Sequence, residues 1–108
     1  MLSGYRLMWM LVMFDLPVAT AEERHEAARF RLALLDAGFE MCQYSVYVRC
    51  CSSRTEAQTY TRYVQDMLPE GGRVDVLYFT DKQYENIVSF RGRLPGRQRK
   101  NPDQYVLL

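Results

Sequence analysis

Few side chains in this 108-residue chain are suited to chemistry, and their placement narrows what that chemistry can be. Asp15 closes the run Leu7 to Asp15, in which the other eight residues are all apolar. A carboxylate emerging from such a run is a frequent position for a metal ligand or a catalytic group, with turn capping as the structural alternative. The basic residues fall into two sets. Arg24, Arg29 and Arg31 lie in a stretch with helical periodicity, where pairing with Glu22, Glu23 and Glu26 is the plain reading. Arg91, Arg93, Arg97, Arg99 and Lys100 follow one another with no acid between Phe90 and Lys100. A run of this kind contacts phosphates or forms a solvated tail. The net charge of +1 excludes a histone-like protein. His25 is the only histidine, and charged neighbours mark it as exposed. Cys42, Cys50 and Cys51 are odd in number, two are adjacent, and none forms a Cys-x-x-Cys pair, which argues against a disulfide framework and against structural zinc. They read as reduced strand residues of a cytoplasmic protein.

The elements that must position these groups follow from periodicity and breakers. Met10 to Phe14 show no polar alternation, so they read as a strand buried on both faces, and Pro17 helps end it. The apolar run is too short to span a bilayer and has no cleavage site behind it, so neither a membrane span nor a signal peptide is expected. Thr20 and Glu23 have capping-box spacing, which predicts a helix starting there. Ala27, Phe30, Leu34 and Ala37, widened by Ala33 and Leu35, form its apolar stripe, and Gly38 ends it. Phe39 to Cys51 is strand material, too long for one strand, with a kink expected near Gln43. Alternation puts Tyr44, Val46, Val48 and Cys50 on one side, and Ser45, Tyr47, Arg49 and Cys51 on the other. Arg49 is expected to pair with Asp75 or Asp81. A second helix starts near Ser53, carries the stripe Ala57, Tyr60, Val64 and Leu68 with Met67 beside it, and stops at Pro69-Glu70-Gly71-Gly72. Arg73 to Thr80 reads as a strand, Asp81-Lys82 as a tight turn, and Gln83 to Phe90 as a last strand completing a hairpin. Tyr44, Tyr47, Tyr60, Tyr63, Tyr78 and Tyr84 are able to stack on bases, but most are expected in the core or at a dimer seam.

The resulting order predicts an α+β fold of the ferredoxin-like sandwich type: βαββαβ plus an extra C-terminal strand, with two helices on one face of an antiparallel sheet. Residues 1–92 form this domain. Residues 93–108 form a basic C-terminal arm with an apolar end, Tyr105-Val106-Leu107-Leu108, that needs a surface to bury against. A core of this size favours a dimer that covers one more face.

The strand ending Met13-Phe14-Asp15-Leu16-Pro17, the Arg-bearing helix and the stretch Gly38-Phe39-Glu40-Met41-Cys42-Gln43-Tyr44-Ser45-Val46-Tyr47-Val48-Arg49 together resemble the CRISPR-associated protein two family. This is the small dimeric subunit of the spacer-acquisition complex. Leu68-Pro69-Glu70-Gly71-Gly72-Arg73-Val74 and Thr80-Asp81-Lys82-Gln83-Tyr84 add to the resemblance, which covers about residues 5 to 92. It implies a ferredoxin-like fold, a homodimer and, at the end of the first strand, a functional aspartate that maps onto Asp15. Many members carry Tyr before that Asp, where this chain has Phe14.

Under the resemblance, Asp15 is the catalytic and metal-binding candidate. One carboxylate is too few to hold a metal tightly, but a twofold axis supplies a second, and two nearby carboxylates repel unless they share a proton or a cation. Magnesium (Mg2+) suits such a site and can activate water for attack on a phosphodiester. This is the endonuclease reading, an endoribonuclease or a deoxyribonuclease; the expected nucleic-acid partner is DNA, with RNA as the second option. The alternative is a non-catalytic DNA-binding scaffold that bridges CRISPR integrase subunits. In both readings Arg24, Arg29, Arg31, Arg91, Arg93, Arg97, Arg99 and Lys100 are the candidates for nucleic-acid backbone contacts.

Overall fold

Residues 7–92 are described by the structure, a computed structural model. The elements run β1 (Met8–Asp15), α1 (Ala21–Asp36), β2 (Glu40–Gln43), β3 (Val46–Cys51), α2 (Arg54–Asp66), β4 (Arg73–Thr80) and α3 (Asp81–Glu85). The sheet order is β2-β3-β1-β4 with every pair antiparallel, so β1 lies in the interior of the sheet. With α1 and α2 packed on one side, this is the ferredoxin-like arrangement.

The helices start where their caps say they should. Thr20 Oγ1 accepts the Glu23 N–H at 3.0 Å, and Glu23 Oε1 accepts the Thr20 N–H at 3.0 Å, which satisfies donors that no helical turn can reach. Gly38 follows the end of α1 at φ +90°, a left-handed value that a side chain resists. Ser53 caps α2 by accepting the Glu56 N–H at 3.1 Å, while Glu56 reaches back to Ser52 rather than to Ser53. The core lies between these helices and the sheet. Phe30, Leu34, Ala57 and Val64 pack over Met10, Val12, Tyr47 and Cys51. Leu35 and Leu68, counted in the apolar stripes, face outward instead. Leu68 lies past the last turn of α2, where helical spacing no longer sets its direction.

The expected break near Gln43 is present. The register shifts between Met41 and Gln43, and Tyr44-Ser45 connects β2 to β3. Two other expectations are corrected. The cover on β1 is unequal: Met10 and Val12 are fully buried under the helices, while on the other side α3 covers Trp9 and Met13 is left 39% exposed. An unbroken apolar run does not distinguish a strand buried twice from one whose second face carries apolar side chains and no cover. The predicted strand Gln83–Phe90 does not form. Asp81–Glu85 is instead the short helix α3, and residues 86–92 carry no strand. The reason is a second capping box: Thr80 Oγ1 accepts the Gln83 N–H at 3.1 Å and Gln83 Oε1 accepts the Thr80 N–H at 2.9 Å. Trp9 holds α3 down by stacking on Tyr84, with ring centroids 3.8 Å apart, and by donating its indole N–H to Asp81 at 2.8 Å. The arm, residues 93–108, lies outside the described residues. Among the described residues no helix is long and apolar enough to cross a membrane.

Candidate active site

Side chains alternate along a strand, so Asp15 shares a face with Met13, Leu11 and Trp9, opposite the helices. The register sets their neighbours on that face. Leu11 lies between Val48 and Leu77, Trp9 between Cys50 and Phe79, and Met13 between Val46 and Asp75. Asp15, the last residue of β1, pairs with Arg73, the first of β4. The second side of the sheet is therefore largely apolar at its centre, with Asp15, Arg73 and Asp75 at one end, Glu40 beside Val48, and α3 seated on Trp9 at the other end.

At that end Asp15 is exposed, and among the described residues its carboxylate has no hydrogen-bond or ion-pair partner. Arg73 lies opposite but donates its Nε to both oxygens of Asp75, at 3.3 and 3.1 Å. Among the described residues its terminal nitrogens make no hydrogen bond, so they are available to an anion. Arg73 was not among the residues singled out from sequence. Its signal was its place directly after Gly71-Gly72, at the start of a strand that must pair with β1. The Gly-Gly turn also sets the position of Asp15. A Cβ on Gly72 would come within 2.7 Å of the Asp15 carbonyl oxygen and 3.0 Å of the Leu16 Cα. The backbone of Asp15 thus lies against a position where only glycine fits.

Two further segments meet at this strand end. The Phe14 N–H donates to the Ser45 carbonyl at 3.0 Å, which ties the Tyr44-Ser45 turn to the residue before Asp15. Phe14 has no hydroxyl to contribute, and its ring packs edge-on against Phe30 and beside Tyr47 in the core. On the far side of the loop that follows Asp15, a cleft of about 430 Å³ is lined by Glu22, Glu23, Glu26 and Glu70 with Leu16 and Pro17. Four carboxylates make that cleft unfavourable to a phosphate backbone.

The basic candidates are not all at this site. Arg24 donates to the Val18 and Ala19 carbonyls at 3.1 and 3.2 Å and so fixes the loop between Asp15 and α1. Arg29 pairs with Glu26 at 2.8 Å and reaches the Met67 carbonyl at 3.4 Å, in the helical layer behind the sheet. That pair holds the Glu26 carboxyl below its ordinary range and raises Arg29 further. Arg31 and Arg91 are exposed without a side-chain partner among the described residues. Arg93, Arg97, Arg99 and Lys100 lie outside them. Arg49 does not form the expected ion pair. Its guanidinium sits 3.9 Å above the Tyr60 ring, and its buried Nε has no acceptor. The pleat explains this: Arg49 points to the helical side, Asp75 lies on the opposite face beside Arg73, and Asp81 accepts from Trp9. Cys51 is buried and Cys50 half-buried, and burial pushes both thiols above their usual values, as expected of inert strand residues. No group of three or more His, Cys, Asp or Glu side chains able to hold a metal occurs among the described residues.

The family model for CRISPR associated protein Cas2 matches residues 8–87. A CRISPR-associated endoribonuclease Cas2 of Paracidovorax avenae is 56% identical over 107 residues, covering 99% of both chains. The protein of the same name in Flavobacterium psychrophilum is 43% identical, covering 98% of this chain and 92% of its own. That of Ligilactobacillus salivarius is 38% identical, covering 94% and 100%. A solved structure described as a crystal structure of Cas2 has a TM-score of 0.57 at 18% identity, covering 87% of this chain and 99% of its own, a likeness of fold.

Proposed function

Because the chain belongs to the CRISPR-associated protein Cas2 family, we propose that it acts in CRISPR spacer acquisition as a homodimeric nuclease. The two Asp15 carboxylates would together hold magnesium, and the bond cleaved is a phosphodiester. The observation that carries this reading is the unpartnered Asp15 carboxylate at one end of a largely apolar sheet face that is open around Met13. A second copy laid on that face buries Leu11, Met13, Val46, Leu77 and Phe79 and brings two Asp15 residues toward one axis. The relatives named endoribonucleases make RNA the first substrate to test, with DNA beside it.

The donor set fits magnesium only as a pair. At the end of β1 one chain offers only the Asp15 carboxylate without a partner among the described residues, whereas two facing carboxylates match an ion that binds through one or two and keeps several waters. When bound, the ion supplies Lewis-acid polarisation of the phosphoryl group and lowers the pKa of the attacking water. The chain's own residues orient the substrate. Arg73 presents its terminal nitrogens to a phosphate next to Asp15, and Arg24 keeps the following loop in place. Arg31, Arg91, Arg93, Arg97, Arg99 and Lys100 attract the backbone by charge.

The test compares the parent protein with Asp15→Asn on labelled single-stranded RNA and on DNA, with magnesium and with chelator. The dimer is checked in parallel by light scattering. Loss of metal-dependent cleavage in an intact dimer is the expected result, and equal cleavage by both proteins rejects the reading. The scarcity of metal donors in one chain favours a second reading, a scaffold that bridges integrase subunits without chemistry of its own. Spacer acquisition that survives Asp15→Asn selects the scaffold.

A further inference from the structure

Five of the six tyrosines among the described residues are engaged with neighbours. Tyr47 is buried in the core, and Tyr60 lies under Arg49. Tyr63 donates to the Ala33 carbonyl, Tyr78 shares a 2.6 Å hydrogen bond with Thr61, and Tyr84 stacks on Trp9. Tyr44 differs from all of these. It is 92% exposed and has neither a ring contact nor a hydroxyl partner among the described residues.

Its backbone is nonetheless held in place. Gln43 and Val46 pair on either side of the turn. Ser45 adopts φ +61°, a left-handed conformation that costs a residue with a side chain about 1–2 kcal/mol. The Ser45 carbonyl accepts the Phe14 N–H, and Phe14 is anchored against Phe30 and Tyr47. Residues joined across such a bond have Cα atoms about 5.5 Å apart, and one residue on each side adds about 3.8 Å, so Tyr44 lies within about 13 Å of Asp15 along the backbone. That is the span of a few stacked nucleotides at about 3.4 Å each. A strained turn on a fixed base, presenting a bare ring beside a free carboxylate, is built as a platform.

We propose that Tyr44 is a positioning residue on which a base of single-stranded nucleic acid stacks, setting the adjacent phosphate at Asp15. This rests on the nuclease reading of Asp15. A tyrosine ring has only two side-chain torsions to fix, so stacking orders it at low entropic cost, and every base offers a π-face, so the contact is tolerant of sequence. Bases inside a duplex are already stacked on each other, which makes the single strand the ligand. The acidic cleft on the other side of the Asp15 loop leaves the Tyr44 side open to it.

The test uses the full chain with Tyr44→Phe, Tyr44→Leu and Tyr44→Ala. Binding is read by fluorescence anisotropy in an Asp15→Asn background, on short labelled single-stranded RNAs that carry one abasic site at each position in turn. Tyr44→Leu and Tyr44→Ala are expected to weaken binding of the intact strand about five- to hundredfold, and Tyr44→Phe to leave it unchanged. One abasic position weakens binding to the Tyr44 protein and has no further effect once the ring is gone. In cleavage by proteins with Asp15 intact, the loss appears in KM more than in kcat. Unchanged binding by Tyr44→Leu and Tyr44→Ala, or no binding of single strands by any variant, overturns the proposal. If Asp15→Asn cleaves as well as its parent while the abasic pattern holds, the nuclease reading falls and the stacking site stands. If Asp15→Asn is inactive and the Tyr44 variants bind unchanged, only the stacking site falls.

Discussion

Gly71 and Gly72 sit side by side at the same φ of +78°, which makes them a matched pair for separating two costs. A side chain at either position must adopt a left-handed conformation, about 1–2 kcal/mol, offset by about 0.4–1 kcal/mol from the stiffer unfolded chain. At Gly71 the added Cβ would meet only Pro17 Cγ at 3.6 Å, an ordinary contact, so Gly71→Ala should cost about 1 kcal/mol. At Gly72 the Cβ meets the Asp15 carbonyl oxygen at 2.7 Å, Leu16 Cδ2 at 2.9 Å and Leu16 Cα at 3.0 Å. Two of these are backbone atoms that cannot rotate aside. The Asp15 contact must open by about 0.7 Å to become ordinary. Overpacking of this kind adds about 1–3 kcal/mol, so Gly72→Ala should cost about 2–4 kcal/mol in all. For a domain near this size, each kcal/mol lowers Tm by about 4–8 °C. Urea and thermal unfolding, followed through the single tryptophan Trp9 at one protein concentration, give both midpoints. Cleavage should separate the variants further, because a displacement of about 1 Å at a reacting group can cost about a hundredfold. Gly71→Ala should keep its rate where Gly72→Ala loses it. Equal midpoints and equal rates would refute the claim that β4 positions Asp15 through a glycine-only contact.

Arg49→Met should be neutral or stabilising and Arg49→Ala destabilising by about 1–3 kcal/mol, because methionine keeps the packing on Tyr60 and removes a buried donor that has no acceptor. Urea midpoints of the two variants check this, and a loss in Arg49→Met as large as in Arg49→Ala would reverse it. Thiol labelling of the native protein should modify Cys42 quickly, Cys50 slowly and Cys51 only on unfolding. Burial raises the Cys51 pKa above the ordinary 9.0, so its contribution to stability is complete below about pH 9 and is lost as pH rises through the folded value. Cys51→Ala should therefore flatten the alkaline fall in stability, measured by unfolding between neutral pH and about pH 10.

The legible parts of this fold were those written in local spacing. Thr20 with Glu23, Gly38 and the break at Gln43 each act within a few residues, and each stands where periodicity and turn chemistry put it. The strand expected from Gln83 to Phe90 failed for a local reason as well: Thr80-Asp81-Lys82-Gln83 has capping-box spacing, and that signal outweighs the apolar residues beyond it. Burial of β1 on both faces was not legible in one chain, since Leu11 and Met13 are apolar whether or not anything lies on them. At the site, Asp15 stood out because it ends an apolar run. Gly72, Arg73 and the Tyr44-Ser45 turn lie in stretches that carry the family resemblance, but their nearness to Asp15 was not legible, because it is made by strand pairing across roughly thirty to sixty residues of chain. Arg49 defeated the charge-pairing expectation because the pleat, invisible in composition, separates it from Asp75.

Arg24 changes how a loss of binding should be interpreted. The short connection from Leu16 to Thr20 is held at one end by the capping box and along its length by the Arg24 guanidinium on the Val18 and Ala19 carbonyls. Restricting a residue's backbone costs about 1–2 kcal/mol of conformational entropy, and here that cost is met during folding rather than when a ligand arrives. A variant without Arg24 returns the cost to the binding step. It can therefore look like the loss of a phosphate contact although the guanidinium is engaged with the protein's own backbone.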